Sequence, residues 1–163
     1  MKKVIFMLVL SLVCLEIKAQ TPYIGGSVTL AYTGGFNSDT HFYGGYEFND
    51  KWALGGCVGL NMAANDSDVI AGGFLGAYLR FTPWHNDILY TDIKWRTEVL
   101  LRDAIGVAAA DVGLCGSLRF RLNDHIDIFT DFIPVGVRYS GGDTFPLIGI
   151  LGSGCSLGMH YRF

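Results

Sequence analysis

Read two residues at a time, this chain sorts itself by polarity. In stretch after stretch one parity is apolar and uncharged, while the other carries the charges. The first set holds Ile24, Val28, Leu30 and Tyr32; Phe42, Tyr46 and Phe48; Trp52, Leu54, Val58, Leu60 and Met62. It continues with Leu75, Ala77, Leu79 and Phe81; Leu89, Ile93, Trp95 and Val99; Val112, Leu114, Leu118, Phe120 and Leu122. The second set holds Glu47, Arg80, Asp92, Lys94, Arg96, Glu98, Asp111, Arg119, Arg121, Asp127, Asp131, Arg138 and Arg162, seven basic and six acidic. Side chains on an extended strand alternate between its two faces. The pattern therefore predicts β-strands with one oily and one charged face, and no stretch has helical spacing instead.

Turn residues break the alternation at regular intervals. The reading is eight strands, over 23–33, 40–48, 52–62, 72–82, 88–101, 109–122, 126–140 and 147–163. In the seventh the parity changes near Pro134. Ile126, Ile128 and Phe132 share the apolar face before it, and Val135, Val137 and Tyr139 after it. Proline cannot donate to a ladder hydrogen bond, so a bulge is expected there. The connections alternate in character. Asn49-Asp50-Lys51, residues 83–87 and Asn123-Asp124-His125 are tight, while 34–39, 63–71, 102–108 and 141–146 are longer on average. Up-and-down membrane barrels have short periplasmic turns and longer outer loops, and a tilted spanning strand needs ~9–11 residues.

The alternation alone does not say which face is outside. A soluble, lipocalin-like barrel would turn the charged face to water. A water-facing surface is rich in Lys, Glu, Gln and Asn, yet the charged face has only Lys94 and Asn61 of Lys and Asn. It is filled instead with small residues: Gly25, Gly45, Gly55, Gly59, Gly76, Gly113, Gly154 and Gly158. Small residues beside a few large ones suit the narrow lumen of an eight-stranded barrel. The aromatics of the apolar face fall at two heights. Phe48, Trp52, Phe81, Phe120, Tyr161 and Phe163 lie near one rim, and Tyr32, Phe42 and Tyr139 near the other. Interfacial girdles of membrane barrels have that distribution. The expected fold is all-β: an eight-stranded antiparallel up-and-down transmembrane barrel.

Both ends of the sequence agree. Lys2 and Lys3, an apolar run from Val4 to Leu15, and Ala19 before Gln20 read as a cleavable secretory signal. The run is too short for a membrane-spanning helix. Residues 1–19 are thus expected to be a signal peptide and 20–163 the barrel domain. The last eight residues alternate strictly, with Leu157, Met159, Tyr161 and Phe163 on one face. Ser156, Gly158, Tyr161 and Phe163 match the C-terminal assembly signal of outer-membrane barrels, and the segment resembles it. The whole expected domain resembles the small outer-membrane barrels of the OmpA/OmpX type, often called porin-like. The Ala19–Gln20 junction is similar to those of exported Bacteroidota proteins. The resemblance implies a Gram-negative outer membrane, lipid around the barrel, a monomer, and recognition of the last strand by the β-barrel assembly machinery.

Composition narrows the function. The formal net charge is −3, and it falls further without Lys2, Lys3 and Lys18, so nucleic acid is not an expected partner. Charges inside a narrow barrel must pair, because an unpaired buried charge costs several kcal/mol. A lumen network of Glu47, Arg80, Asp92, Lys94, Arg96, Glu98, Asp111, Arg119, Arg121, Asp131 and Arg138 is expected. Such a network either closes the barrel, leaving a structural or surface-interaction role with acidic loops (Asp39, Asp66, Asp68, Asp103 and Asp143 against Arg102), or lines a narrow channel for small solutes. Enzymatic activity is not expected. His41, His85, His125 and His160 lie on different strands or turns, and His41 with Ser140 is a crude match to the rim residues of lipid A-modifying barrels. No nucleotide loop is present, and Cys57, Cys115 and Cys155 lack metal-site spacing, so no cofactor or metal is expected. Cys57 and Cys115 sit on nearly opposite strands, too far apart for a disulfide. They are expected to be free, buried thiols, with Cys155 facing lipid.

Overall fold

The structure, a computed structural model, describes residues 21–32, 36–64, 69–102, 106–148 and 156–163. The expected signal segment, Cys155 and the acidic loop residues Asp66, Asp68 and Asp103 lie outside them. The strands are β1 (Thr21–Tyr32), β2 (Phe36–Glu47), β3 (Trp52–Ala64), β4 (Val69–His85), β5 (Leu89–Arg102), β6 (Gly106–Arg121), β7 (Ile126–Ser140), β8 (Asp143–Ile148) and β9 (Ser156–Arg162). Each strand from β1 to β7 pairs antiparallel with the next. One half of β7 pairs with β8 and the other half with β9, which also pairs with β1 and closes the sheet. β8 and β9 thus share the eighth place in a closed eight-stranded barrel. Closure through β9 gives the sheet partners on both sides at the turn end, whereas β8 has a described partner only in β7.

The three tight connections share one construction. Asn49, Asn86 and Asn123 each accept backbone N–H bonds from the second and third residues after them, at 2.7–2.9 Å. Asparagine side chains hold turns in this way. All three turns read Asn-Asp-X and recur 37 residues apart, a periodicity the sequence reading overlooked. Phe163 N–H bonds to the Pro22 carbonyl, and Arg162 N–H to the His125 carbonyl. The described chain ends therefore lie at this turn end of the barrel.

At the opposite, loop end the strands run further than expected. β2 starts at Phe36 and not at residue 40, β4 at Val69 and not at 72, β6 at Gly106 and not at 109, and β8 at Asp143 and not at 147. Asn37, Ser38, Asp39 and Asp143 are turn formers by composition. Here Asn37 and Asp39 pair with Ala31 and Thr29, and Asp143 with Ser140, so ladder bonding overrides local preference. The expected long connection over 141–146 is a two-residue turn. Gly141 (φ 63°) and Gly142 (φ 95°) supply the two positive dihedrals that a tight hairpin of the primed type requires. At the turn end, β4 passes residue 82 and continues to His85 through a bulge between Phe81 and Trp84 that contains Pro83. The expected loop at 83–87 shrinks to Asn86-Asp87-Ile88, and Trp84 becomes a rim residue facing outward. The bulge in β7 lies beside Pro134: Cys115 pairs with Pro134 but Gly116 with Phe132.

Burial follows the parity sorting. The expected apolar face is turned outward all round the barrel, from Ile24 and Val28 through Leu54, Leu75, Trp95 and Leu114 to Val137 and Tyr161. Arg80, Asp92, Lys94, Arg119, Asp127, Asp131 and Arg162 are buried inside. An unbroken apolar surface of this kind is unfit for water, which removes the soluble barrel. At the turn-end rim Trp52 packs on Phe81 at 4.6 Å and Tyr161 on Phe163 at 5.3 Å between ring centres. Leu114 lies on the belt between Trp95 and Val135. Leu114→Arg should lower stability by ~2–4 kcal/mol, the cost of a cation on the lipid face near mid-bilayer. Asn61→Arg, which points inward beside Asp39, should cost less. Urea unfolding in lipid vesicles ranks them, and a larger loss for Asn61→Arg would reverse the assignment of faces.

Candidate functional site

The lumen is built by glycines opposite aromatics. Across the ladders Gly25 faces His160, Gly45 faces Tyr23, Gly55 faces Tyr78, Gly59 faces Phe74, and Gly158 faces Phe129. In each pair a Cβ on the glycine would collide with the partner's side chain. Absence of a side chain on one strand lets the ring from the next lie flat across the wall. The rings meet in the middle of the barrel. The Tyr23 and Tyr78 hydroxyls share a hydrogen bond, and Ser27 and Tyr43 share another at 3.0 Å. Tyr43 stands edge-on to Tyr78 and Phe129, and Phe129 stacks on His160 at 4.3 Å. Lys94 lies 4.1 Å from the centre of the Phe129 ring and bonds Asp131 at 2.6 Å.

On the turn-end side of these rings lies an ion network. Arg119, 2% exposed, donates to Asp92 at 2.9 Å and to Asp127 at 3.0 Å, and lies 3.5 Å from Glu47. Arg80 pairs with Glu47 and reaches Asp92 at 4.0 Å. Arg162 bonds Asp127 at 3.1 Å, and Arg121 lies 3.7 Å from it. Thr82 adds a hydroxyl bond to Asp92 at 2.6 Å. Tyr90 lies between the two guanidiniums of Arg119 and Arg121, at 4.4 and 4.5 Å. Four arginines and three carboxylates are thereby locked together, with neighbours on β2, β4, β5, β6, β7 and β9.

On the loop-end side is a cavity of about 340 Å³, lined by Asp39, His41, Asn61, Phe74, Arg96, Glu98, Leu100, Asp111 and Arg138. Arg138 grips Asp111 through two bonds of 2.8 and 2.6 Å. Glu98 meets Arg96 at 3.2 Å and His41 at 3.4 Å, and Asp39 accepts a bond from Asn61.

The eleven residues expected to form one network therefore occupy three levels. Glu47, Arg80, Asp92, Arg119 and Arg121 join Asp127 and Arg162 at the turn end; Lys94 and Asp131 sit between; Arg96, Glu98, Asp111 and Arg138 line the cavity. Ser156 and Gly158 of the terminal motif face inward, and Tyr161 and Phe163 outward. Cys57 and Cys115 are free and buried inside. His41 lies against Glu98, Phe74 and Tyr43, whereas Ser140 belongs to the β7–β8 hairpin. His85 and His125 are exposed at the turn end, each stacked on a tyrosine. The sequence reading missed the aromatic layer. Its signal was present: Tyr23, Tyr43, Phe74, Tyr78 and Phe129 all fall on the charged parity.

The fold has counterparts among solved structures. Neisserial surface protein A (NspA) matches with a TM-score of 0.50 over 88% of this chain and 97% of its own, at 9% identity. The fold is that of a small outer-membrane barrel. Ail, the attachment invasion locus protein of Yersinia pestis, aligns over 88% of the chain and 97% of its own, at 14% identity and a TM-score of 0.47. No family model matches the sequence, and the search of curated proteins found no match.

Proposed function

We propose that the protein is an integral outer-membrane barrel whose lumen is shut, with a structural or surface-interaction role in the cell envelope and no role in solute passage. The observation that carries this reading is the turn-end network. Arg119 on β6 is buried between Asp92 and Asp127 of the two flanking strands and reaches Glu47 on β2, across the bore, at 3.5 Å, and the layer of Tyr23, Tyr78, Tyr43 and Phe129 backs it. An ion has to separate charges that are paired in a site closed to water, and each separation costs several kcal/mol. By the orientation usual for such barrels, the tight turns face the periplasm and the cavity opens outward. The outward apolar belt supports a lipid surrounding, and the fold shared with NspA supports the outer membrane as its location.

The second reading, a narrow channel for small solutes, is tested directly. Purified full-length protein in a planar bilayer should show no steady unit conductance. Steady ohmic steps in the unmodified protein would establish the channel and overturn the closed barrel.

A further inference from the structure

The loop-end cavity has three properties that belong together. It is blind, since the aromatic layer and the ion network fill the bore beneath it. Its volume of about 340 Å³ falls within the range of small-molecule sites, ~300–1,000 Å³. Its polar groups are incompletely matched. Of the three carboxylates, Asp111 is held by Arg138 and Glu98 by Arg96. Asp39 bonds the neutral amide of Asn61, and among the described residues no ion pair includes it. Among the described residues, the lining carries three carboxylates against two arginines, with His41 beside Glu98 counted as neutral.

His41 is a further polar group of the lining. His41 is buried, with its side chain 5% exposed, and its Nε2 faces Glu98 at 3.4 Å. Its Nδ1 is buried with no hydrogen-bond partner. Phe74, whose ring centre lies 4.2 Å from that of His41, and Leu100 give the cavity an apolar side.

We infer that this cavity is a binding site for a small organic cation: an ammonium group set against Asp39, with a short hydrocarbon body along Phe74 and Leu100. An anion would meet Asp39, which has no arginine bonded to it among the described residues. A bare metal ion would leave the apolar wall unused, and a neutral alkane would strand the charge at Asp39. An alkylammonium satisfies the charge and the wall together.

Three isosteric probes separate these terms: n-butylammonium, n-butanol and butyrate. Each is titrated against the refolded full-length protein in lipid nanodiscs, reading amide and side-chain shifts of His41, Asn61 and Leu100 by NMR. Butylammonium should bind saturably and perturb these residues, butanol at least tenfold more weakly, and butyrate not at all. Asp39→Asn should weaken butylammonium binding at least tenfold while barrel signals elsewhere stay in place. Equal binding of the three probes, perturbations confined to lipid-facing residues, or unchanged affinity in a folded Asp39→Asn variant would overturn the proposal. The comparison of probes on unmodified protein decides the matter even if the variant fails to fold.

Discussion

Replacing Arg119 by Met should be among the most damaging single changes in this barrel, costing ~3–5 kcal/mol. Arg119 is the shared partner of Asp92, Asp127 and Glu47, at 2.9, 3.0 and 3.5 Å, and its guanidinium lies 4.4 Å from the Tyr90 ring centre. Met fills a comparable volume but provides no donor, so three buried carboxylates lose a cation at once. Arg80 and Arg162 stay near Glu47 and Asp127 and soften the loss. Asp92 fares worst, since its other cation, Arg80, is 4.0 Å away. Arg119→Met with Asp92→Asn should therefore lose less than the two single changes added together. Urea unfolding in vesicles, followed by the fluorescence of Trp52, Trp84 and Trp95, measures all three proteins. A loss for Arg119→Met of only the ~0–1 kcal/mol typical of an exposed pair would show that the network holds nothing shut.

The direction in which each side chain points was legible in the sequence, and the partner it meets was not. Direction depends on a period of two within one strand, so Arg96 and Arg119 could both be placed inside. Partnership depends on register between strands. The two residues stand on adjacent strands, yet Arg119 pairs in register with Tyr90 and Arg96 with Gly113. Six residues of strand separate those levels, about 20 Å, so the two belong to different ends of the lumen. Lys94 likewise reaches over β6 to Asp131 on β7 and finds no partner among the described residues of β6 itself. The bulge at Pro134 was legible because a proline and a parity change coincide. The one at Pro83 was not, because Pro-Trp-His-Asn-Asp read as a turn. The strand continues there because Trp84 and His85 pair with Thr91 and Tyr90 of β5, a contact beyond local composition. Glycine on the inner face was read as a sign of a narrow lumen. Its more specific role, as the seat of an aromatic ring from the adjoining strand, appears only when register sets Gly55 against Tyr78 and Gly158 against Phe129.

That role gives the second large expected effect. Gly59→Ala should cost more than an ordinary surface change in a strand, and Gly44→Ala should cost nothing. The two glycines sit in adjacent strands of one hairpin, β2 and β3, with opposite facing. A Cβ on Gly59 would strike both the Thr40 carbonyl and the Phe74 ring. The carbonyl belongs to the β2–β3 ladder and cannot withdraw without breaking pairing. The ring is buried and already packed on His41. Forcing one extra carbon into such a site costs ~1–3 kcal/mol, and the upper end applies where backbone is the obstacle. Gly44 faces lipid with nothing within 4 Å of the added carbon, and removing a strand glycine there returns up to ~0.5–1 kcal/mol of backbone entropy. The difference between the two alanine variants in urea unfolding should thus exceed ~2 kcal/mol. Restoring space with Phe74→Leu in the Gly59→Ala background should recover only part of the loss, since the Thr40 carbonyl remains. Equal stability of Gly59→Ala and Gly44→Ala would mean that the inner wall has slack, and a lumen with slack at this level could not be held shut by packing.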